Sequence, residues 1–360
     1  MADPIRVLVV DDSAVVRRAV SDALASEPDI TVVGTAANGK IGLERAAHLK
    51  PDVVILDIEM PEANGFDVLR GLRAQHATAR TIMFSTLTQR GASQTVEALA
   101  LGASDYALKP ASTGLGYGDT LKQVAKELIP KIKQFRPDLW PAAPPPFAAP
   151  AGAPRCPSAR EAGTPQVVAI GVSTGGPEAL AKVLPRLPET FPTPILIVQH
   201  MPPVFTKLLA ERLALSSKIK VVEAEAGMTP QPGTAYLAPG DHHMVVGRRD
   251  GRVAISLNQA APENSCRPAA DPLFRSVAEV YGAHALGVIM TGMGQDGLIG
   301  LRAMRAKGAG VYAQDQATSV VWGMPSFPVR EGLVDAVLSV DELAAAIDAA
   351  VSSHPAGAVR

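Results

Sequence analysis

Three apolar runs in the second half of the chain each break off at a residue able to do chemistry. Val167-Val168-Ala169-Ile170 leads into Gly171-Val172-Ser173-Thr174-Gly175-Gly176-Pro177. Ile195-Leu196-Ile197-Val198-Gln199 leads into His200-Met201-Pro202, and Ala285-Leu286-Gly287-Val288-Ile289-Met290 into Thr291-Gly292-Met293-Gly294-Gln295-Asp296-Gly297. A β-branched run that gives way to glycines and then to an amphipathic segment reads as strand, tight turn, helix. Ser173 is the residue at such a turn, where the free N–H groups of the next helix point at whatever binds. A hydroxyl nucleophile beside an oxyanion hole suits that place, and so does a phosphate cradle. The cradle of nucleotide hydrolases wants a lysine after its glycines, and none follows Gly176. A nucleophile wants a base and an orienting acid. Parallel strands joined by one helix are neighbours and end on one edge of the sheet, so Ser173 is expected to face His200, with Asp296 on the same edge. The order Ser, His, Asp is not that of the α/β-hydrolases despite the shared GxSxG letters, so the triad rests on strand ends.

The first third of the chain places a second chemistry in the same way. An apolar run from Ile5 stops at Asp11-Asp12, Val53-Val54-Ile55-Leu56 stops at Asp57, Ile82-Met83-Phe84 stops at Ser85, and Tyr106-Ala107-Leu108 runs into Lys109-Pro110. Helical patterns lie between these runs, which predicts a doubly wound parallel sheet of five strands whose ligands sit beyond the strand ends. Three carboxylates there suit a hard divalent cation such as Mg²⁺, and a hydroxyl with a lysine suits a phosphoryl group.

These elements have to hold two separate sites, and the length of 360 residues allows two domains. Residues 137–165 are rich in proline and alanine, with Trp140 and Phe147 among them, and read as an extended linker between the domains. The boundaries expected are a first domain over 1–128, a linker over 129–164 and a catalytic domain over 165–352. In the second domain, runs at 244–247 and 253–257 around Arg249-Asp250-Gly251 predict a β-hairpin beside a mostly parallel sheet. Lys and Arg number 34 against 35 Asp and Glu, a balance that argues against nucleic acid as the main partner. Apolar runs are too short for membrane insertion, Cys156 and Cys266 form no framework, and no signal-peptide core follows the amino terminus. A monomeric cytoplasmic protein is expected.

The acidic set Asp11, Asp12, Asp57, with Ser85 and Lys109, resembles a response-regulator receiver domain of flavodoxin-like fold. The resemblance implies that Asp57 accepts a phosphoryl group from a histidine kinase. It also implies that Asp11, Asp12 and Asp57, with the backbone carbonyl of Glu59, hold Mg²⁺, and that Ser85, Lys109 and Tyr106 sense the phosphate. The Ser173, His200 and Asp296 motifs, together with Ala238-Pro239-Gly240-Asp241-His242-His243-Met244, resemble the catalytic domain of the chemotaxis protein-glutamate methylesterases, the CheB family. That resemblance implies hydrolysis of glutamyl methyl esters on chemoreceptors with release of methanol, and deamidation of receptor glutamines. Its site would use Ser173 as nucleophile, His200 as base and Asp296 as orienting acid. The backbone N–H of Met293 and one in the Ser173 turn would be oxyanion donors, Thr174 would support the turn, and the esterase chemistry would need no cofactor. A receiver joined to a hydrolase leads to the expectation that the unphosphorylated receiver covers the Ser173 edge. Two rivals remain: a metallohydrolase using His200, His242, His243 and Asp296, and a response regulator whose second domain only binds a partner.

Overall fold

The apolar runs that break off at Asp11, Asp57, Ser85, Lys109, Ser173, His200 and Thr291 are strands of parallel sheets. The computed structural model describes residues 3–75, 78–86, 88–110, 116–136 and 163–352, and its chain divides into two compact units, Met1–Leu139 and Trp140–Arg360. Trp140, Phe147 and Cys156 lie outside the described residues.

The first unit alternates strand and helix: β1 (Ile5–Val10), α1 (Ala14–Leu24), β2 (Ile30–Ala36), α2 (Gly39–Leu49), β3 (Val53–Leu56), α3 (Gly65–Ala74), β4 (Arg80–Ser85), α4 (Gln89–Ala100), β5 (Asp105–Leu108) and α5 (Tyr117–Lys133). The five strands lie in the order β2-β1-β3-β4-β5, every pair parallel. Strands buried on both faces must be apolar throughout, which is why Val7, Val9, Ile55, Ile82 and Phe84 fill one core with Val20, Leu24, Leu128 and Ile132 from the helices. Fully burying a side chain of that size stabilises the fold by about 1.5–3 kcal/mol. Ile132 belongs to this core, so the first unit continues beyond the boundary of 128 expected from the sequence; α5 carries it to Lys133.

The second unit runs β6 (Val167–Val172), α6 (Gly176–Val183), β7 (Ile195–Gln199), α7 (Phe205–Ser216), β8 (Lys220–Glu223), β9 (Thr234–Leu237), β10 (His243–Arg249), β11 (Arg252–Asn258), α8 (Ala270–Tyr281), β12 (Ala285–Ile289), α9 (Leu298–Ala306), β13 (Gly310–Gln314), α10 (Ser326–Arg330), β14 (Ala336–Leu338) and α11 (Val340–Ser352). Its main sheet has seven strands in the order β14-β13-β12-β6-β7-β9-β8, all parallel. The expected hairpin is present as β10 and β11, a separate antiparallel pair. From β6 the chain moves outward through β7 and later returns to the other side of β6 as β12. Strand direction of travel therefore reverses between β6 and β12, and open parallel sheets bind ligands at such a reversal. Among the described residues no helix is long and apolar enough to cross a membrane.

Candidate functional site

Val172 of β6 is in register with Gln199 of β7. The next residue on each strand is therefore Ser173 beside His200, on strands about 4.8 Å apart. The turn after Ser173 is tight because Gly175 sits at φ +78° and α6 starts directly behind it. A Cβ on Gly176 would stand 1.9 Å from Gln199 Oε1, so glycine there makes room for the Gln199 side chain. Gln199 Nε2 donates to the carbonyls of Ser173 (3.0 Å) and His200 (3.2 Å), tying the two strand ends together. From the other flank the Ser173 N–H donates to the Thr291 carbonyl at 2.9 Å. Thr291 Oγ1 donates to the Thr174 carbonyl at 2.8 Å and accepts from the N–H groups of Val320 and Val321, both at 3.1 Å. Thr174 is thus held through its backbone.

Asp296 comes from the loop after β12, is buried, and receives five hydrogen bonds. His200 Nε2 (2.7 Å) and the Ala270 N–H (2.6 Å) meet Oδ2; the N–H groups of Asp271 (3.1 Å) and Gly297 (3.0 Å) and Asn264 Nδ2 (3.1 Å) meet Oδ1. Burial opposes the charged form of Asp296, but the His200 bond and these N–H donors outweigh it and lower its pKa. Neighbouring Asp271 goes the other way: burial raises its pKa against the Gly300 N–H and Asn264, and the Asp296 charge adds to the rise. Two adjacent carboxyls pushed apart in this way keep the negative charge on the one that faces the imidazole. Burial also opposes the charged form of His200, yet its bonds to Asp296 and Cys266 push its pKa up to about 9.

Of the residues read from the sequence, His200 and Asp296 are in direct contact, with Ser173 at the adjoining strand end. Asp296 takes Nε2, so Nδ1 is the nitrogen left for a serine proton. In this structure Nδ1 faces Cys266 Sγ at 3.5 Å, and among the described residues the Ser173 hydroxyl makes no hydrogen bond. Catalytic hydrogen bonds are often unformed before substrate arrives. Met293 follows Gly292, whose Cβ position is 2.7 Å from Ser173 Cβ; among the described residues its N–H has no acceptor. The rival metal set does not fit, because His243 has both ring nitrogens engaged, by the Ala261 carbonyl and the Ala269 N–H. Gln199, Asn264, Cys266, Asp271 and Thr291 were not singled out as functional from the sequence. An amide at the last position of the strand preceding His200 is the one available signal, for Gln199.

At the equivalent edge of the first unit, candidate ligand oxygens of Asp11, Asp12 and Asp57 all lie within 4.8 Å of one another. Asp11 is fixed by the Ser13 N–H (2.9 Å) at the start of α1, and Asp57 by the Ile58 N–H (2.8 Å). Lys109 Nζ stands 2.9 Å from both Asp11 Oδ2 and Asp57 Oδ1. Burial raises the Asp57 pKa against the pull of Lys109, and burial depresses Lys109 less than Asp57 and Asp11 raise it. An all-carboxylate donor set with Asp12 open to solvent fits a cation that keeps part of its water shell. Ser85 is buried and its hydroxyl is 2.7 Å from that of Thr95. The Glu59 side chain is paired with Arg90 at 3.3 Å. Tyr106 packs its ring 5.1 Å below Lys131 Nζ, and burial, with Asp105 and Glu127 nearby, raises its phenol pKa.

A five-stranded sheet with an acidic pocket, followed by a parallel seven-stranded sheet with a polar cluster at its reversal, defines a response regulator with an α/β output unit. Residues 7–115 match the response regulator receiver domain family, and residues 168–347 match the CheB methylesterase family. The chain belongs to the CheB methylesterase family. It is 47% identical over 343 residues to a protein-glutamate methylesterase/protein-glutamine glutaminase of Nocardioides sp., covering 94% of this chain and 93% of that one. A Thermotoga maritima protein of the same description is 44% identical, with 93% and 95% covered. The crystal structure of the Thermotoga maritima CheB methylesterase catalytic domain is similar with a TM-score of 0.50 and 42% identity, covering 52% of this chain and 98% of that one.

Proposed function

We propose that the protein hydrolyses glutamyl methyl esters on chemoreceptors, deamidates receptor glutamines, and does so faster when Asp57 is phosphorylated. The observation that carries the hydrolytic reading is the buried His200–Asp296 pair at 2.7 Å on the strand edge shared with Ser173.

Ser173 Oγ attacks the ester carbonyl while His200 Nδ1 takes its proton, and Asp296 steadies the resulting imidazolium through Nε2. The oxyanion is met by the Met293 N–H and by one in the Ser173 turn; such a donor is typically worth ~10²-fold or more in turnover. His200 then gives its proton to the leaving alkoxide, which departs as methanol and leaves a glutamyl ester on Ser173. Water, deprotonated by His200, cleaves that ester and restores the serine. A glutamine side chain follows the same course with ammonia leaving. No cofactor enters these steps.

In the first unit Asp11, Asp12 and Asp57, with the Glu59 carbonyl, would hold Mg²⁺, which supplies charge neutralisation for phosphoryl transfer to Asp57 from a chemotaxis-type histidine kinase. Lys109 and Ser85 contact the transferred group and Tyr106 responds to it.

The test is methanol release from methylated receptor membranes with and without acetyl phosphate and Mg²⁺. Release that rises with the phosphodonor supports both halves of the reading. Release indifferent to it leaves the esterase and removes the switch, and absence of release overturns the substrate assignment.

A further inference from the structure

Residues 263–266 form a tight turn closed by two backbone hydrogen bonds, Glu263 N–H to the Cys266 carbonyl (3.1 Å) and Cys266 N–H to the Glu263 carbonyl (2.8 Å). Both central residues are left-handed, Asn264 at φ +50° and Ser265 at φ +62°, where side-chain-bearing residues are uncommon. The turn is anchored at each end: Glu263 is paired with Arg275 of α8, and Arg267 with Asp241. What this backbone achieves is to deliver two side chains to the two members of the buried pair. Asn264 Nδ2 bonds Asp296 Oδ1 (3.1 Å) and Asp271 Oδ2 (3.0 Å), and Cys266 Sγ lies 3.5 Å from His200 Nδ1.

We propose that Cys266 is a positioning residue that restrains the base at rest, its thiol occupying the one His200 nitrogen that Ser173 needs. The proposal rests on the reading of His200 as the base. Since Asp296 holds Nε2, any group at Nδ1 competes with the serine hydroxyl, and the thiol has to be displaced before Ser173 can pass on its proton. The titratable groups facing His200 are Asp296 from the loop after β12 and Cys266 from the turn. Asp271 and Arg275, both on α8, act on it through Asp296. Among these, Cys266 favours the charged imidazolium alongside Asp296. Among the described residues, removing it leaves Asp296 as the sole hydrogen-bonding partner of the imidazole and frees Nδ1.

The test uses the full chain and compares wild type with Cys266→Ala and Cys266→Ser. The His200 imidazole is titrated by ¹⁵N NMR, and kcat and KM for a glutamyl methyl ester peptide are followed against pH. In Cys266→Ala the imidazole midpoint moves to lower pH and kcat at pH 7 rises roughly three- to tenfold. KM stays unchanged, and part of the rise persists at alkaline pH, where the thiol still competes with Ser173 for Nδ1. Cys266→Ser, whose hydroxyl can still meet Nδ1, lies between the two. An unchanged imidazole midpoint in Cys266→Ala overturns the proposal. So does a kcat lowered by one factor at every pH, which a merely structural role would give. Hydrolysis that survives His200→Ala would instead remove the triad reading, while the NMR titration would still report whether Cys266 acts on His200.

Discussion

In the first unit the strand order reverses between β1 and β3, and Asp11, Asp12 and Asp57 stand over that reversal; in the second it reverses between β12 and β6, where Ser173 lies against Gly292. Both sites follow from the same topology, since only at a reversal do the flanking helices diverge and leave a crevice. Their charge is handled in opposite ways. Of three carboxylates in the first site, Asp11 and Asp57 share one lysine and Asp12 stands open to solvent, which leaves negative charge for a cation and a phosphoryl group to complete. Asp296 in the second site already has five donors, and Asp271 beside it is pushed toward its neutral form. One crevice is finished by what it binds; in the other the His200–Asp296 half is assembled beforehand, and Ser173 has still to meet His200 Nδ1. A single architecture thus supports a receiver of charge and a preorganised catalyst.

Ser173→Ala is the sharpest way to test the second half of that contrast. Methanol release is expected to fall by at least ~10⁴-fold with phosphorylation of Asp57 intact, and a variant retaining most of its activity would mean that the preorganised pair serves something else. Metal removal tests the first half: a chelator, or Asp57→Asn, abolishes stimulation by acetyl phosphate and leaves basal release unchanged. Loss of basal release on chelation would erase the distinction between the two sites. The pH profile comes next in size. His200 must be unprotonated to act as base, and in the free protein its pKa is pushed up to about 9, so kcat/KM should climb close to tenfold per pH unit below that value and level off above it. A limb centred near the ordinary imidazole value would show that Cys266 and Asp296 do not bias the ring. The smallest effect is expected of Gln199→Met, which keeps the volume and loses the two bonds to Ser173 and His200. Calorimetry should register about 1–3 kcal/mol of destabilisation, with kcat lowered about tenfold.

The sheet edges were legible in the sequence because a parallel strand buried on both faces has to be an unbroken apolar run, and its end has to be the first polar residue. That rule finds Asp11, Asp57 and Ser173 directly, His200 one residue past Gln199, and Asp296 one short loop further on. It does not find β13 or β14, whose runs Gly310–Gln314 and Ala336–Leu338 are short, the first opening on a glycine and the second only three residues long. Nor does it reach Asn264 and Cys266, which come from a turn outside the main sheet. Their contacts with Asp296 and His200 depend on two left-handed residues that no local pattern of Glu263-Asn264-Ser265-Cys266 announces. Ser85 is the last residue of β4, as its apolar run implies, but the bond of its hydroxyl to Thr95 depends on how α4 packs on β4.

The position of Ser173 against Gly292 also bears on how the protein acquires its activity. The Ser173 turn is closed on one side by β7, its near neighbour in the chain, and on the other by β12, which β8 through β11 and α8 separate from it in sequence. Contacts between segments so distant in sequence are the slow ones to form. Recovery of hydrolysis during refolding should therefore lag behind the appearance of helix and strand, making enzymatic activity a clock for the last step of sheet assembly.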